Sequence, residues 1–138
     1  MKSLTLLLCL ALPVAAAEDS PGRLTLKDLR AIATAVEARA TDTNEYPKVT
    51  YDELVPLVQP VYISKAPLLD PWGTPYWYVA DGMNYRFVSA GADRQFEPGS
   101  KELDLNDQGT RPMDNLDADI IFQNGTFLQY PRSAVPGH

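Results

Sequence analysis

The sequence predicts an α+β fold: one long N-terminal helix plus a short helix, packed on an antiparallel sheet of two hairpins. Three observations carry this. Leu26, Leu29, Ile32, Ala33, Val36 and Ala40 recur at three- and four-residue spacing, which draws a narrow apolar stripe along a helix. Two pairs of β-prone runs each enclose a strong turn signal, Asp81-Gly82 and Asn124-Gly125. Between helix and sheet, the stretch from Leu69 to Val79 packs Asp-Pro, Trp-Gly and Thr-Pro into a rigid turn that runs straight into a strand. Each proline fixes its own φ and biases the residue before it to extended geometry, so Asp70 and Thr74 are both held out of helix.

The elements follow in order. Thr25-x-x-Asp28 has capping-box spacing and is read as the start of the long helix. Thr41-Asp42-Thr43-Asn44 ends it, and Tyr46-Pro47 marks the stop. Thr50-x-x-Glu53 opens the short helix, which carries Leu54, Val55, Leu57 and Val58 up to Pro60. Tyr76 to Ala80 and Tyr85 to Ala90 form the first hairpin, and the runs 119–123 and 126–130 the second. From Gly91 to Leu116 apolar residues thin out, which reads as a long ordered or semi-ordered loop of functional interest.

The ends and the composition bound the function. Lys2, the apolar run from Leu4 to Val14 and Ala15-Ala16-Ala17 have the layout of a signal peptide over residues 1–17, cleaved before Glu18. The apolar run is about eleven residues, short of the roughly twenty that span a bilayer. No stable membrane span is expected after cleavage, and the expected location is periplasmic or extracellular. Residues 18–131 are read as one globular domain and 132–138 as a flexible tail. Cys9, the only cysteine, leaves with the signal, so packing or a metal must stabilise the domain. The net charge of −6, without a basic cluster, argues against nucleic acid and suits a hard cation held by oxygen. The only histidine is His138, so a Ser-His or Cys-His catalytic arrangement is not expected and the chain reads as a non-enzyme.

Tyr46-Pro47, Asp70-Pro71-Trp72-Gly73-Thr74-Pro75-Tyr76, Ser89-Ala90-Gly91-Ala92-Asp93 and Asp117-Ala118-Asp119-Ile120 occur in an order and at local spacings that resemble the globular domain of the major pseudopilin of type II secretion systems. The resemblance runs from about Leu29 to Ile120. It implies a long helix on an antiparallel sheet, in agreement with the reading above. It also implies calcium, with Asp93, Asp117 and Asp119 as side-chain ligands and Ser89 and Ala90 contributing oxygens. In this sequence a long insertion separates the two acidic segments. The family's basic leader and apolar assembly helix are replaced by an ordinary signal peptide and a helix too polar for a filament core, so polymerisation in the pseudopilus manner is not expected. The implied partner is a protein of the cell envelope, within the secretion or pilus machinery.

Other readings compete. Trp72, Tyr76, Trp77, Tyr78, Tyr85 and Phe87 would serve a secreted carbohydrate- or peptide-binding module if enough of them were exposed. Period-two alternation separates Trp77 and Val79 from Tyr76 and Tyr78, so only one set lines the core. Trp72 is expected to be buried. Asp104-x-Asn106-x-Gln108-Gly109 resembles half of an EF-hand loop but has Asn115 at the twelfth position. Asp70 and Asp81 read as turn formers rather than a catalytic carboxylate pair.

Overall fold

A computed structural model describes residues 20–135. The signal-peptide reading lies outside the described residues. Helix α1 spans Pro21–Thr43 and α2 spans Tyr51–Val58. Five strands follow: β1 Trp77–Ala80, β2 Tyr85–Ser89, β3 Arg111–Met113, β4 Ile120–Gln123 and β5 Thr126–Pro131. They form one sheet in the order β1-β2-β4-β5-β3, with every pairing antiparallel except β3 beside β5. The α+β class and the helix-on-sheet layering are as the sequence predicts, and both turn signals close hairpins.

Helix α1 starts earlier than the Thr25 box suggests. Ser20 is the N-cap, its hydroxyl accepting from Arg23 N–H at 3.2 Å, and Pro21 opens the helix. Proline suits that position because its fixed φ is helical and its missing N–H has no intrahelical role there. Thr25 is instead buried within the helix, and its hydroxyl donates to the Pro21 carbonyl at 2.8 Å. Replacing Ser20 by Ala is expected to cost about 1 kcal/mol in a urea melt. A silent substitution would move the working cap back to Thr25. At α2 the capping box between Thr50 and Glu53 forms as read.

Leu29, Ile32 and Val36 of α1 are fully buried, and so are Leu54 and Val58 of α2. They pack on Tyr76, Tyr78, Tyr85, Phe87, Ile120 and Phe122 from the inner face of the sheet. Each fully buried aliphatic side chain contributes roughly 1.5–3 kcal/mol. Tyrosine hydroxyls also tie helix to sheet: Tyr76 donates to Asp28 Oδ2 at 2.7 Å and Tyr85 donates to Glu37. Burial pushes the Asp28 carboxyl above its ordinary value. Trp72 is half-buried against this core rather than enclosed by it.

All five residues of β2 are buried, which requires cover on both faces of the sheet. The outer face carries a second, small core of Val88, Ile121 and Leu128 with Phe96 against it. The cover comes from the 91–116 segment, a chain of turns that lays β3 along β5. β3 lies inside the stretch read as loop. It is three residues long and contains Pro112, so neither length nor alternation announces it. At the C-terminus, Arg132–Ala134 forms a 3₁₀ turn against α1, and Ala134 is buried. Arg132–Ala134 thus packs with the domain, inside the stretch 132–138 read as a flexible tail.

Candidate functional site

The β2–β4 pairing sets Ser89 opposite Ile120, which lays the chain leaving β2 alongside the chain entering β4. Ala92 N–H donates to the Leu116 carbonyl at 2.8 Å and locks the two segments together. Gly91, at φ +77°, lies beneath the carbonyl oxygens of Leu116, Asp117 and Ala118. A Cβ placed there would stand 2.8, 3.1 and 2.6 Å from them. Several hard oxygens are thus gathered on one small residue.

Asp119 is the next residue and is completely buried. Its Oδ2 accepts from Glu97 N–H at 2.8 Å and from the Ser100 hydroxyl. Its Oδ1 is buried without a hydrogen-bond partner among the described residues. Leaving such an oxygen unpaired is costly. Burial pushes the Asp119 carboxyl up to about 6, with the charges of Glu97 and Asp93 adding to the rise. Glu97, which sequence reasoning did not single out, accepts from Asp119 N–H at 2.6 Å and from Gln129 Nε2 at 2.7 Å. It sits in an irregular turn, and nothing local in the sequence marks it.

The remaining residues of the implied calcium set are placed as follows. Asp93 is exposed, and its Oδ1 accepts from Gln95 N–H at 2.9 Å. Asp117 is exposed, its N–H donating to Asn115 Oδ1 at 2.8 Å. Ser89 is turned away: its hydroxyl donates to Asp70 Oδ2 at 2.8 Å and accepts from Gly91 N–H at 3.3 Å. Ala90 is buried beside it. Among the described residues, no three His, Cys, Asp or Glu side chains are arranged to hold a metal. A cation at this place would draw on backbone carbonyls as well as carboxylates, a mixture that calcium accepts.

The other marked residues act in the fold. Asp70 accepts from the N–H groups of Trp72 and Thr74 at 3.1 and 2.9 Å. Asp81 accepts from those of Met83 and Asn84 at 2.9 and 2.7 Å. Asp104 accepts from Asn106 N–H at 2.9 Å, a local turn contact. Of the aromatics, Tyr76, Tyr78, Tyr85 and Phe87 face the core, while Trp77 is the outward one. Trp77 Nε1 donates to the Lys101 carbonyl at 2.9 Å, and Lys101 Nζ lies 4.6 Å from the centroids of both the Trp77 and Phe96 rings.

A long helix laid across a mostly antiparallel sheet, with the Asp-Pro-Trp-Gly turn delivering the chain into the first hairpin, is the layout of a pseudopilin globular domain. The family model for type II secretion system (T2SS) protein G matches residues 14–108, well over half of the chain, and the chain belongs to that family. The match supports a type II secretion-related component, and the family is envelope-associated and generally structural, its members assembling with other secretion proteins. The matched span ends before β3, so the Asp117–Asp119 side of the candidate site lies beyond it. No curated protein and no solved structure matches the chain. Among the described residues no helix is long and apolar enough to cross a membrane.

Proposed function

We propose that the chain is a non-enzymatic assembly component of the type II secretion apparatus, exported by its signal peptide and working at the outer side of the inner membrane without entering a filament core. The polar outer surface of α1 supports the last point: Lys27, Arg30 and Asp42 are exposed on the helix that a filament would have to bury. A calcium ion held by Asp119, with the carbonyls of the 116–118 turn and Asp93 or Asp117 at the rim, stabilises the loop against the sheet. The unpartnered, buried Oδ1 of Asp119 is the observation that carries the calcium reading. A divalent cation would satisfy it and would offset the repulsion among Asp93, Glu97 and Asp119.

Two measurements test this. Thermal melts of the processed chain should shift upward with added Ca²⁺ and downward with chelator. At about a hundredfold excess over Kd the gain is about 2.7 kcal/mol, on the order of 10 °C. Asp119→Asn should abolish the shift, and Asp93→Ala should reduce it. No shift at millimolar calcium, or an equal shift in Asp119→Asn, overturns the metal assignment. In the producing cell, deletion of the gene should trap type II substrates in the periplasm while general export continues. Unimpaired release would remove the chain from the secretion pathway.

A further inference from the structure

The two edges of the sheet are finished differently. β3 closes one of them, and Pro112 at its centre has no N–H to offer another strand. β1 forms the other edge and contains no proline. Its hydrogen-bond phase follows from its turn. Asp81 N–H donates to the Asn84 carbonyl at 3.1 Å, so the bonded pairs recur two residues further along, at Val79–Arg86 and Trp77–Val88. Tyr85 shows the same phase from the other side, since its carbonyl accepts from Asn124 N–H in the direction of β4. Tyr78 and Ala80 therefore direct their backbone N–H and C=O groups outward, away from the sheet. Beside them runs a groove of about 350 Å³, walled by the 48–53 segment and floored by β1.

We propose that this edge pairs with the same edge of a second copy of the chain, antiparallel, about a two-fold axis passing at Val79. That axis sets Tyr78 opposite the partner's Ala80. An antiparallel bonded pair exchanges two N–H to C=O bonds, so the outward groups of both residues are satisfied in both copies. Val79, half-buried in the monomer, then packs on the partner's Val79.

Charge selects this arrangement. Lys48 follows Pro47, whose carbonyl accepts from the Tyr78 hydroxyl at 2.8 Å, and Tyr46 N–H donates to the Gly82 carbonyl at 2.8 Å. Lys48 therefore stands toward the Ala80 end of the groove. Glu53 lies in the first turn of α2, where the Tyr51 ring is 6.0 Å from that of Tyr76, toward the Trp77 end. Lys101 is held at the Trp77 end as well, by the Trp77 indole N–H, while Asp81 follows Ala80 directly. A two-fold axis through the middle of β1 exchanges the ends. Lys48 meets the partner's Glu53, and Lys101 meets the partner's Asp81, twice over by symmetry. Oppositely charged ends of this kind are self-complementary only in the antiparallel sense.

Sedimentation equilibrium of the processed chain, combined with residue-resolved hydrogen exchange, tests the pairing. A dimer should form as concentration rises toward about 1 mM, and the Tyr78 and Ala80 amides should gain protection with it. Val79→Lys places two ammonium groups at the axis and should weaken association by about tenfold or more. Lys48→Glu should weaken it too, and Lys48→Glu combined with Glu53→Lys should restore it. Since Glu53 also closes the α2 capping box, each variant is compared where circular dichroism shows it folded. A chain that stays monomeric at that concentration overturns the proposal, including the case in which an added extended peptide protects the same amides instead. So does a dimer that leaves those amides unprotected or is indifferent to Val79→Lys.

Discussion

Gly91→Ala is expected to destabilise the chain by about 3–4 kcal/mol, a fall in Tm on the order of 15 °C. Two costs combine. At φ +77° an L side chain occupies the left-handed region, at roughly 1–2 kcal/mol. The new Cβ would also stand 2.6 Å from the Ala118 carbonyl oxygen and 2.8 Å from that of Leu116. Both are backbone atoms, which cannot rotate aside as a side chain would. Relief requires the 116–118 turn to lift, which stretches the 2.8 Å bond from Ala92 N–H to Leu116 and drags Asp119 off Glu97 and Ser100. Gly99 supplies the internal control. It has a similar φ of +79°, but a Cβ there would meet nothing within 4 Å. Gly99→Ala should therefore cost only the conformational part, about 1–2 kcal/mol. The difference between the two melts measures how firmly the acidic turn is seated on β2. Equal costs at the two glycines would mean that the turn is not seated there at all.

What the sequence made legible is what local chemistry decides. The Ala-rich stripe of α1, the Thr50–Glu53 box and the two turn signals each act within a few residues. At the second hairpin, Asn124 and Gly125 take φ 49° and 91°, the paired positive values that Asn-Gly favours. The aromatic strand was legible only in part. Alternation separates Tyr76 and Tyr78 from Trp77, but which set lines the core depends on distant partners. The Tyr76 hydroxyl reaches Asp28 and the Tyr78 hydroxyl reaches the Pro47 carbonyl, both on the helical side, while the Trp77 indole reaches Lys101 in the covering loop. The loop's own architecture was not legible for the same reason. Arg86 and Asp119 are buried charged residues, a placement that no local rule suggests. Both take partners from residues 97–107, inside the stretch that reads as sparse and polar. At the candidate site, the sequence brought forward Asp93, Asp117 and Asp119. Folding buries only Asp119, adds Glu97, and commits the Ser89 hydroxyl to Asp70.

Arg86→Met should cost about 2–3 kcal/mol and loosen the outer-face loop more than the helical core. Arg86 is buried on the outer side of β2. Its Nε donates to Gln123 Oε1 at 2.7 Å, Nη1 to the Ser100 carbonyl at 3.1 Å and Nη2 to Asp107 Oδ2 at 2.9 Å. One side chain thus fastens β4 and two separate turns of the loop to β2. Methionine fills much of the volume and donates nothing, so three acceptors lose a partner at once. The cost stays below that of an isolated buried charge because Arg111 Nη1 still holds Asp107 Oδ1 at 2.6 Å and Asp107 keeps some access to water. The pH dependence identifies the mechanism. Arg111, and with it Arg86, holds the Asp107 carboxyl below its ordinary value of 3.8 against the opposing effect of burial. A carboxylate lowered in the folded state contributes stability that is complete above the unfolded value and is lost as pH falls through the folded one. In Arg86→Met the folded value moves back toward 3.8, and less of that contribution exists to lose. The gap between wild type and variant should therefore be widest near pH 7 and narrow as pH drops below about 3. Urea melts at several pH values read this directly. A gap that stays constant with pH would mean that Arg86 acts through packing and its bonds to Gln123 and Ser100, with the Asp107 pair contributing nothing measurable.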